Sequence, residues 1–295
     1  MKRSTWILIV VLFLLAATTY VVLQRPGESS SPASTGEMLV SYDSAAVDKL
    51  EITSGGAAVV LALEEGKWMI ASPVHYRADG AAVTAAVSRG RRLELKGLVS
   101  SNPQKQSVFQ VDTSGARVRV FARGVETANF LIGKVGTSFS ETYVRREGSN
   151  DVYIADGPLS YIFVKSPKDW RDRVIFKADR DKIVNIAYRY GDTTFTVTFH
   201  DSVWKVDNAP ASVSAVQSLL GSLSNFLTNE FVDSGYTPSS APSAIVELLG
   251  TQIRFYQPKN STKFMVQSSQ SLQWYEVESW RASEILKRKK DLQLQ

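Results

Sequence analysis

The chain has no cysteine. That excludes disulfides, thiol chemistry and a cysteine-linked lipid, and it fits an extracytoplasmic protein that does without disulfides. Histidine is nearly as scarce. His75 and His200 occupy non-equivalent places, and neither has a second histidine at ligand spacing, so a zinc centre is not expected. No phosphate-cradling glycine loop ending in Lys-Ser/Thr occurs, which argues against a nucleotide-hydrolysing subunit. Gly-x-Ser-x-Gly is also missing. Neighbouring acids exist at Glu64-Glu65, Asp169 and Asp172, and Asp179 and Asp181. They lie in turns or in a connecting stretch, where solvation accounts for them and no glycosidase pair can be read. The basic stretches lack interleaved aromatics, so nucleic acid is not an expected partner. The reading is a protein that is not an enzyme, with no catalytic residue, no metal and no cofactor.

What is present begins with an apolar run. Lys2 and Arg3 precede an uncharged stretch from Trp6 to Leu23, at the short end of what spans a bilayer of ~30 Å. Positive charge ahead of it keeps that end cytoplasmic, so the remainder would be exported. A cleaved signal peptide would be shorter and would stop at a small-x-small site, but here the run continues past Ala16-Ala17. The expectation is a single-pass anchor in the cell membrane with the folded part extracytoplasmic, periplasmic in a Gram-negative cell. Residues 25–37 read RPGESSSPASTGE, a composition that forms no core and suits a flexible tether.

The rest of the chain, out of 295 residues, is enough for one large domain or two ordinary ones. Its grammar is doubled. Gly66-Lys67-Trp68-Met69-Ile70 is followed by Pro73 and a helical pattern opening at Asp79. Ser202-Val203-Trp204-Lys205-Val206 is followed by Pro210 and a helical pattern opening at Ser212. Val83, Ala86, Val87, Gly90 and Leu93 recur at helical spacing, and Val216, Leu219, Leu220, Leu223 and Phe226 match them one for one. Asp48-Lys49-Leu50 is echoed by Asp181-Lys182-Ile183. Short alternating segments separated by Gly, Asn or Ser follow each helix and read as antiparallel meanders. The expected fold is α+β: two tandem strand–helix–strand repeats with antiparallel sheets, behind one N-terminal transmembrane helix. The divisions are 1–24 anchor, 25–38 tether, 39–165 first repeat, 166–180 linker, and 181–295 second repeat with a basic tail. That tail, Lys287-Arg288-Lys289-Lys290, is either a frayed, solvated terminus or a site of attraction to anionic headgroups.

An ordered set of residues resembles a known family. It comprises Gly66-x-Trp68 with Pro73 and Ala78-Asp79, Phe109-x-Val111-Asp112, Leu131-Ile132-Gly133, Tyr143-Val144-Arg145, and Val152-Tyr153. In that order the chain is similar to the domain-of-unknown-function family forty-three-forty of bacteria. The resemblance covers most of the chain after the tether, and it extends to the Trp-Arg-acid segment at Trp170-Arg171-Asp172. It implies amino-terminally anchored, exported proteins, some encoded beside ABC-transporter auxiliary subunits, and no established catalytic residues.

The expected function is a non-catalytic, membrane-anchored scaffold or auxiliary subunit, whose partner is an inner-membrane complex of ABC-transporter type. The alternative is a module that binds a cell-envelope polymer, peptidoglycan or polysaccharide. The candidate partner-binding residues are Trp170 and Arg171 between the repeats, Tyr143, Arg145 and Arg146 on one strand, and Arg89 and Arg92 on the first helix. The helix face carrying Arg89, Arg91 and Arg92, with Lys96 beyond, is either ordinary solvated surface or a place for anionic lipid or polymer.

Overall fold

The computed structural model describes residues 36–191, 193–232, 236–259 and 261–294. Alternating burial along the strands and tight turns between them build two large sheets. The first takes β1 (Val47–Ser54), β2 (Ala57–Glu64), β3 (Lys67–Ser72), β4 (Tyr76–Arg77), β5 (Leu95–Ser100), β6 (Ala116–Ala122), β7 (Val125–Val135), β8 (Glu141–Arg146) and β9 (Val152–Asp156). Its order is β4-β3-β2-β1-β6-β7-β8-β9-β5. Helix α1 (Gly80–Arg91) connects β4 to β5, and a single turn, α2 (Ser160–Phe163), follows β9.

The second large sheet has the same order, β14-β13-β12-β11-β17-β18-β19-β20-β16. Its strands are β11 (Asn185–Tyr190), β12 (Thr193–His200), β13 (Val203–Val206), β14 (Ala209–Pro210), β16 (Glu230–Phe231), β17 (Ala244–Leu248), β18 (Thr251–Tyr256), β19 (Lys263–Ser268) and β20 (Trp274–Glu278). Helix α3 (Val213–Ser224) stands where α1 stands, and α4 (Ser279–Ile285) and α5 (Lys289–Leu292) close the chain. A third, two-stranded sheet pairs β10 (Val174–Lys177) with β15 (Asn225–Leu227). Neighbouring strands run antiparallel, as in Leu50 opposite Leu61 and Ile186 opposite Val197.

The architecture is therefore predominantly antiparallel β, and this corrects the expected α+β strand–helix–strand fold. The helical spacing at 83–93 and 216–226 does mark one helix in each half, but nine strands surround each. Two-residue strands such as β4, β14 and β16 leave no readable alternation, and β10 lies in the stretch expected to be a bare linker. Among the described residues no helix is long and apolar enough to cross a membrane. The apolar run and the tether through residue 35 lie outside the described residues.

By contacts the chain falls into two compact units. Of the described residues, one holds those up to Ala62 with Ala81–Ser166, and the other holds Leu63–Gly80 with those from Pro167 on. In the first unit Leu50, Ile52, Leu61, Val83, Ala86, Val87 and Phe130 are buried. Gly90 is needed there because a Cβ would stand 2.4 Å from the Tyr42 hydroxyl and 3.6 Å from the Phe130 and Phe163 rings. That hydroxyl donates to the Val87 carbonyl at 2.7 Å. In the second unit Ile186, Tyr188, Phe195, Val197 and Val206 share a core with Val216, Leu219, Leu220 and Leu223 from α3. Helix α3 is capped by Ser212, whose Oγ accepts from the Ala215 N–H.

The strand register also shifts one equivalence. Leu50 corresponds to Ile186, a spacing of 136 that also relates Leu61 to Val197 and Trp68 to Trp204. Ile183 instead follows the 3-10 turn Arg180–Lys182, ahead of β11. Trp204 is buried, with its ring 5.1 Å from Phe199, while Trp68 is half-buried.

Candidate functional site

The Trp170-Arg171-Asp172 segment is the densest meeting of candidate residues. Pro167–Trp170 forms a 3-10 turn that buries Trp170 completely. The Trp170 carbonyl accepts from the Asp79 N–H at 2.7 Å, and the Asp172 N–H donates to the Arg77 carbonyl at 2.9 Å. Ala78 bridges Arg171 between these two bonds. The segment is thus a short extra strand laid along the β4 end of the hairpin. Arg171 is 3% exposed. Its guanidinium lies 3.7 Å over the Tyr76 ring and 4.9 Å from the Phe231 ring, a doubly stacked cation in a water-poor place.

Asp172 is held on all sides. Its Oδ2 pairs with Arg77 Nε at 3.0 Å, and its Oδ1 accepts from the Val174 N–H at 3.0 Å. Its carbonyl accepts from Gln273 Nε2 at 3.0 Å, and the Tyr275 hydroxyl donates to the Val174 carbonyl at 2.9 Å. Burial pushes the Asp172 carboxyl above its ordinary 3.8, against the opposing pull of the Val174 N–H and of Arg77.

The same closure recurs at the chain's end. The Leu292 carbonyl accepts from the Ser212 N–H at 2.8 Å, the Leu294 N–H donates to the Pro210 carbonyl at 3.2 Å, and Ala211 bridges Gln293. Leu292 is fully buried, as Trp170 is. The basic tail is accordingly tied down, although Arg288, Lys289 and Lys290 remain exposed. Lys289 pairs with Asp207 at 2.7 Å, and Arg288 lies 3.8 Å over the Tyr190 ring. The Tyr188 and Tyr190 hydroxyls donate to the Ile285 and Lys287 carbonyls at 2.9 and 2.7 Å.

The remaining candidates do not join Trp170 and Arg171. Tyr143 packs 4.8 Å from Phe109 beside Val111, Leu131 and Val152. Arg145 is 8% exposed and donates to the Val111 and Ser149 carbonyls, each at 2.7 Å. Arg146 is exposed, yet it donates from Nε and one terminal nitrogen to the Leu39 carbonyl at 2.9 and 2.6 Å. Arg89 reaches the Asp156 carbonyl, and Arg92 is exposed. Of the seven candidates, Arg89, Arg145 and Arg146 hold backbone carbonyls, Arg171 and Tyr143 lie against aromatic rings, Trp170 is fully buried next to Arg171 in the chain, and Arg92 is exposed.

Sequence reading missed Tyr76, Arg77, Phe231 and Gln273. They are distant in sequence from Arg171 and Asp172, and no local pattern links them. The one available signal was the doubled grammar: Arg77 stands where the other copy has Pro210. Elsewhere, an open cleft of about 460 Å³ is lined by Arg180, Ile183, Val184, Phe199, Trp204 and Leu220. His75 pairs with Glu64 at 3.0 Å and His200, at the end of β12, with Asp201 at 2.7 Å, and both histidines are exposed. Among the described residues, no three His, Cys, Asp or Glu side chains are grouped as metal ligands.

Compared with known proteins, residues 68–245 match the family model described as a domain of unknown function (DUF4340). No curated protein and no solved structure matches the chain.

Proposed function

The chain belongs to the domain-of-unknown-function family DUF4340, and from that premise we propose that it is a non-catalytic scaffold, held at the cell membrane by its apolar amino-terminal run, with its sheets extracytoplasmic. Its partner in this reading is a membrane complex, and an ABC-transporter-type complex is the first to test because of the family resemblance. One observation carries the proposal. Apart from Arg92, the charged and aromatic candidates are spent on holding the chain to itself, as with Arg145 on the Val111 and Ser149 carbonyls. Buried and bonded in this way, they fix the shape of a surface.

Polymer binding is the weaker reading. It drew on Trp170, Tyr143 and the Arg145-Arg146 pair as stacking and charge, and Trp170 at 0% exposure presents no face to a sugar. Affinity purification of the full chain from solubilised membranes, against a mock-tagged control, tests the scaffold reading. Enrichment of the subunits of one membrane complex supports it. Retention on peptidoglycan or acidic polysaccharide with no enriched membrane partner would favour the alternative.

A further inference from the structure

Exposed aromatic and basic side chains of the first unit gather where the described chain begins. Glu37 and Leu39 come in along the residues that follow α1: the Leu39 N–H donates to the Leu93 carbonyl and the Leu95 N–H to the Glu37 carbonyl, each at 2.8 Å. Arg91 and Arg92, both exposed, immediately precede Leu93. Leu95 pairs with Ala155 on β9. The next two residues, Asp156 and Gly157, meet the Arg89 guanidinium. The Gly157 N–H donates to the Ser140 carbonyl at 2.7 Å, which ties down the turn that carries Phe139. Four residues past Gly157, on α2, comes Tyr161.

Phe139 is 83% exposed and Tyr161 is 77% exposed. Phe139 also stands at φ +58, a backbone region that a bulky side chain rarely occupies. A bulky residue kept at such a position points to a role for its side chain at the surface. The acids nearby are largely engaged. Lys96 pairs with Asp156 at 3.0 Å and with Glu141 at 3.2 Å, and the other carboxylates of the rim, Glu37 and Glu94, are engaged as well. Arg91 and Arg92 form no ion pair among the described residues.

We propose that this rim rests on an anionic bilayer surface, with Phe139 and Tyr161 entering the interface and Arg91 and Arg92 meeting headgroup phosphates. The proposal depends on the reading that the apolar run holds the chain at a membrane. The run ends at Leu23, and residues 24–36 span at most about 45 Å even when fully extended. The described chain starts inside the patch, so the covalent link keeps this rim within that reach of the bilayer. Tyrosine and arginine suit the boundary between water and lipid, since each carries an apolar body and a polar end, and phenylalanine supplies apolar area to bury there.

The lack of native cysteine makes the test clean. Phe139→Cys, Tyr161→Cys and, as reference, Val125→Cys each take one polarity-sensitive dye. Val125 is 66% exposed at the start of β7 in the same unit. The full chain is reconstituted into vesicles of phosphatidylcholine alone or mixed with phosphatidylglycerol. The dyes at 139 and 161 are expected to shift to the blue in anionic vesicles while the dye at 125 does not. Arg91→Glu with Arg92→Glu should remove most of that shift. A chain that floats with the vesicles while 139 and 161 report water as 125 does overturns the docking alone. A chain that floats with neither kind of vesicle overturns the membrane-held reading and the docking with it.

Discussion

The Trp170 carbonyl accepts from the Asp79 N–H at 2.7 Å, and the Leu292 carbonyl accepts from the Ser212 N–H at 2.8 Å. Each bond joins the residue just ahead of a twelve-residue helix to the end of a short turn whose last side chain is fully buried. The molecule makes one closure twice, with an indole in the first and an isobutyl group in the second.

Trp170→Ala should therefore cost about 3–5 kcal/mol and Leu292→Ala about 2–5 kcal/mol, the usual range for emptying such sites. Urea unfolding followed by tryptophan fluorescence and by circular dichroism measures both. A Trp170→Ala change worth less than about 1 kcal/mol would mean that the first closure does not hold its unit together.

The ionic part of the first closure has an unusual pH sign. Burial raises the Asp172 carboxyl above 3.8, so the folded chain takes up a proton before the unfolded chain does. Between the raised folded value and the ordinary one, the folded state binds more protons, and stability from this group rises as pH falls. Asp172→Asn should be neutral or stabilising near neutral pH and should flatten that slope. Arg77→Ala, which leaves the carboxylate without its cation, should cost about 1–2 kcal/mol, less than a fully buried pair because Arg77 is partly exposed. Denaturant midpoints measured across the acid range for the three proteins decide it.

The β2–β3 turn holds Glu65 at φ +50 and Gly66 at φ +77, and the β12–β13 turn holds Asp201 at φ +50 and Ser202 at φ +63. Two successive positive φ angles define the hairpin turn that favours glycine at its second position. Ser202→Gly should raise stability by about 0.5–1 kcal/mol, and Gly66→Ala should lower it by a similar or larger amount. Calorimetric melting temperatures that move the other way would contradict this account of the turns.

Gly90→Ala would push its new methyl into the Tyr42 hydroxyl, at a cost of about 1–3 kcal/mol. Tyr42→Phe removes the hydroxyl oxygen, so the double variant should lose less than the sum of the single changes. An additive cycle from urea midpoints would show that the crowding lies elsewhere.

Much of this was written locally, and some of it was not. The helices around Val83–Gly90 and Val216–Leu223 follow from apolar spacing, and the paired tryptophan strands follow from doubled grammar. The fold class did not follow, because two-residue strands are made by their neighbours and carry no period of their own. The connecting stretch at 166–180 looked like a linker because its prolines and charges resemble one. Its strand β10 is specified by pairing with Asn225–Leu227, which no window around it contains. Trp170 and Arg171 read as partner-binding residues for the same reason: the Tyr76 and Phe231 rings that cover Arg171 lie far away along the chain. Arg146 looked free until the Leu39 carbonyl came into reach.

The doubled closure also bears on how the chain is made. A hairpin at Leu63–Gly80 that belongs by its contacts with Pro167–Gln295 stays uncovered until Trp170 has been synthesised, about ninety residues after Asp79, or roughly 5–18 s at ordinary ribosome speed. During that interval the polar backbone at Arg77 and Asp79 has only water or a chaperone for a partner. A fragment stopped at residue 165 would keep that exposure permanently.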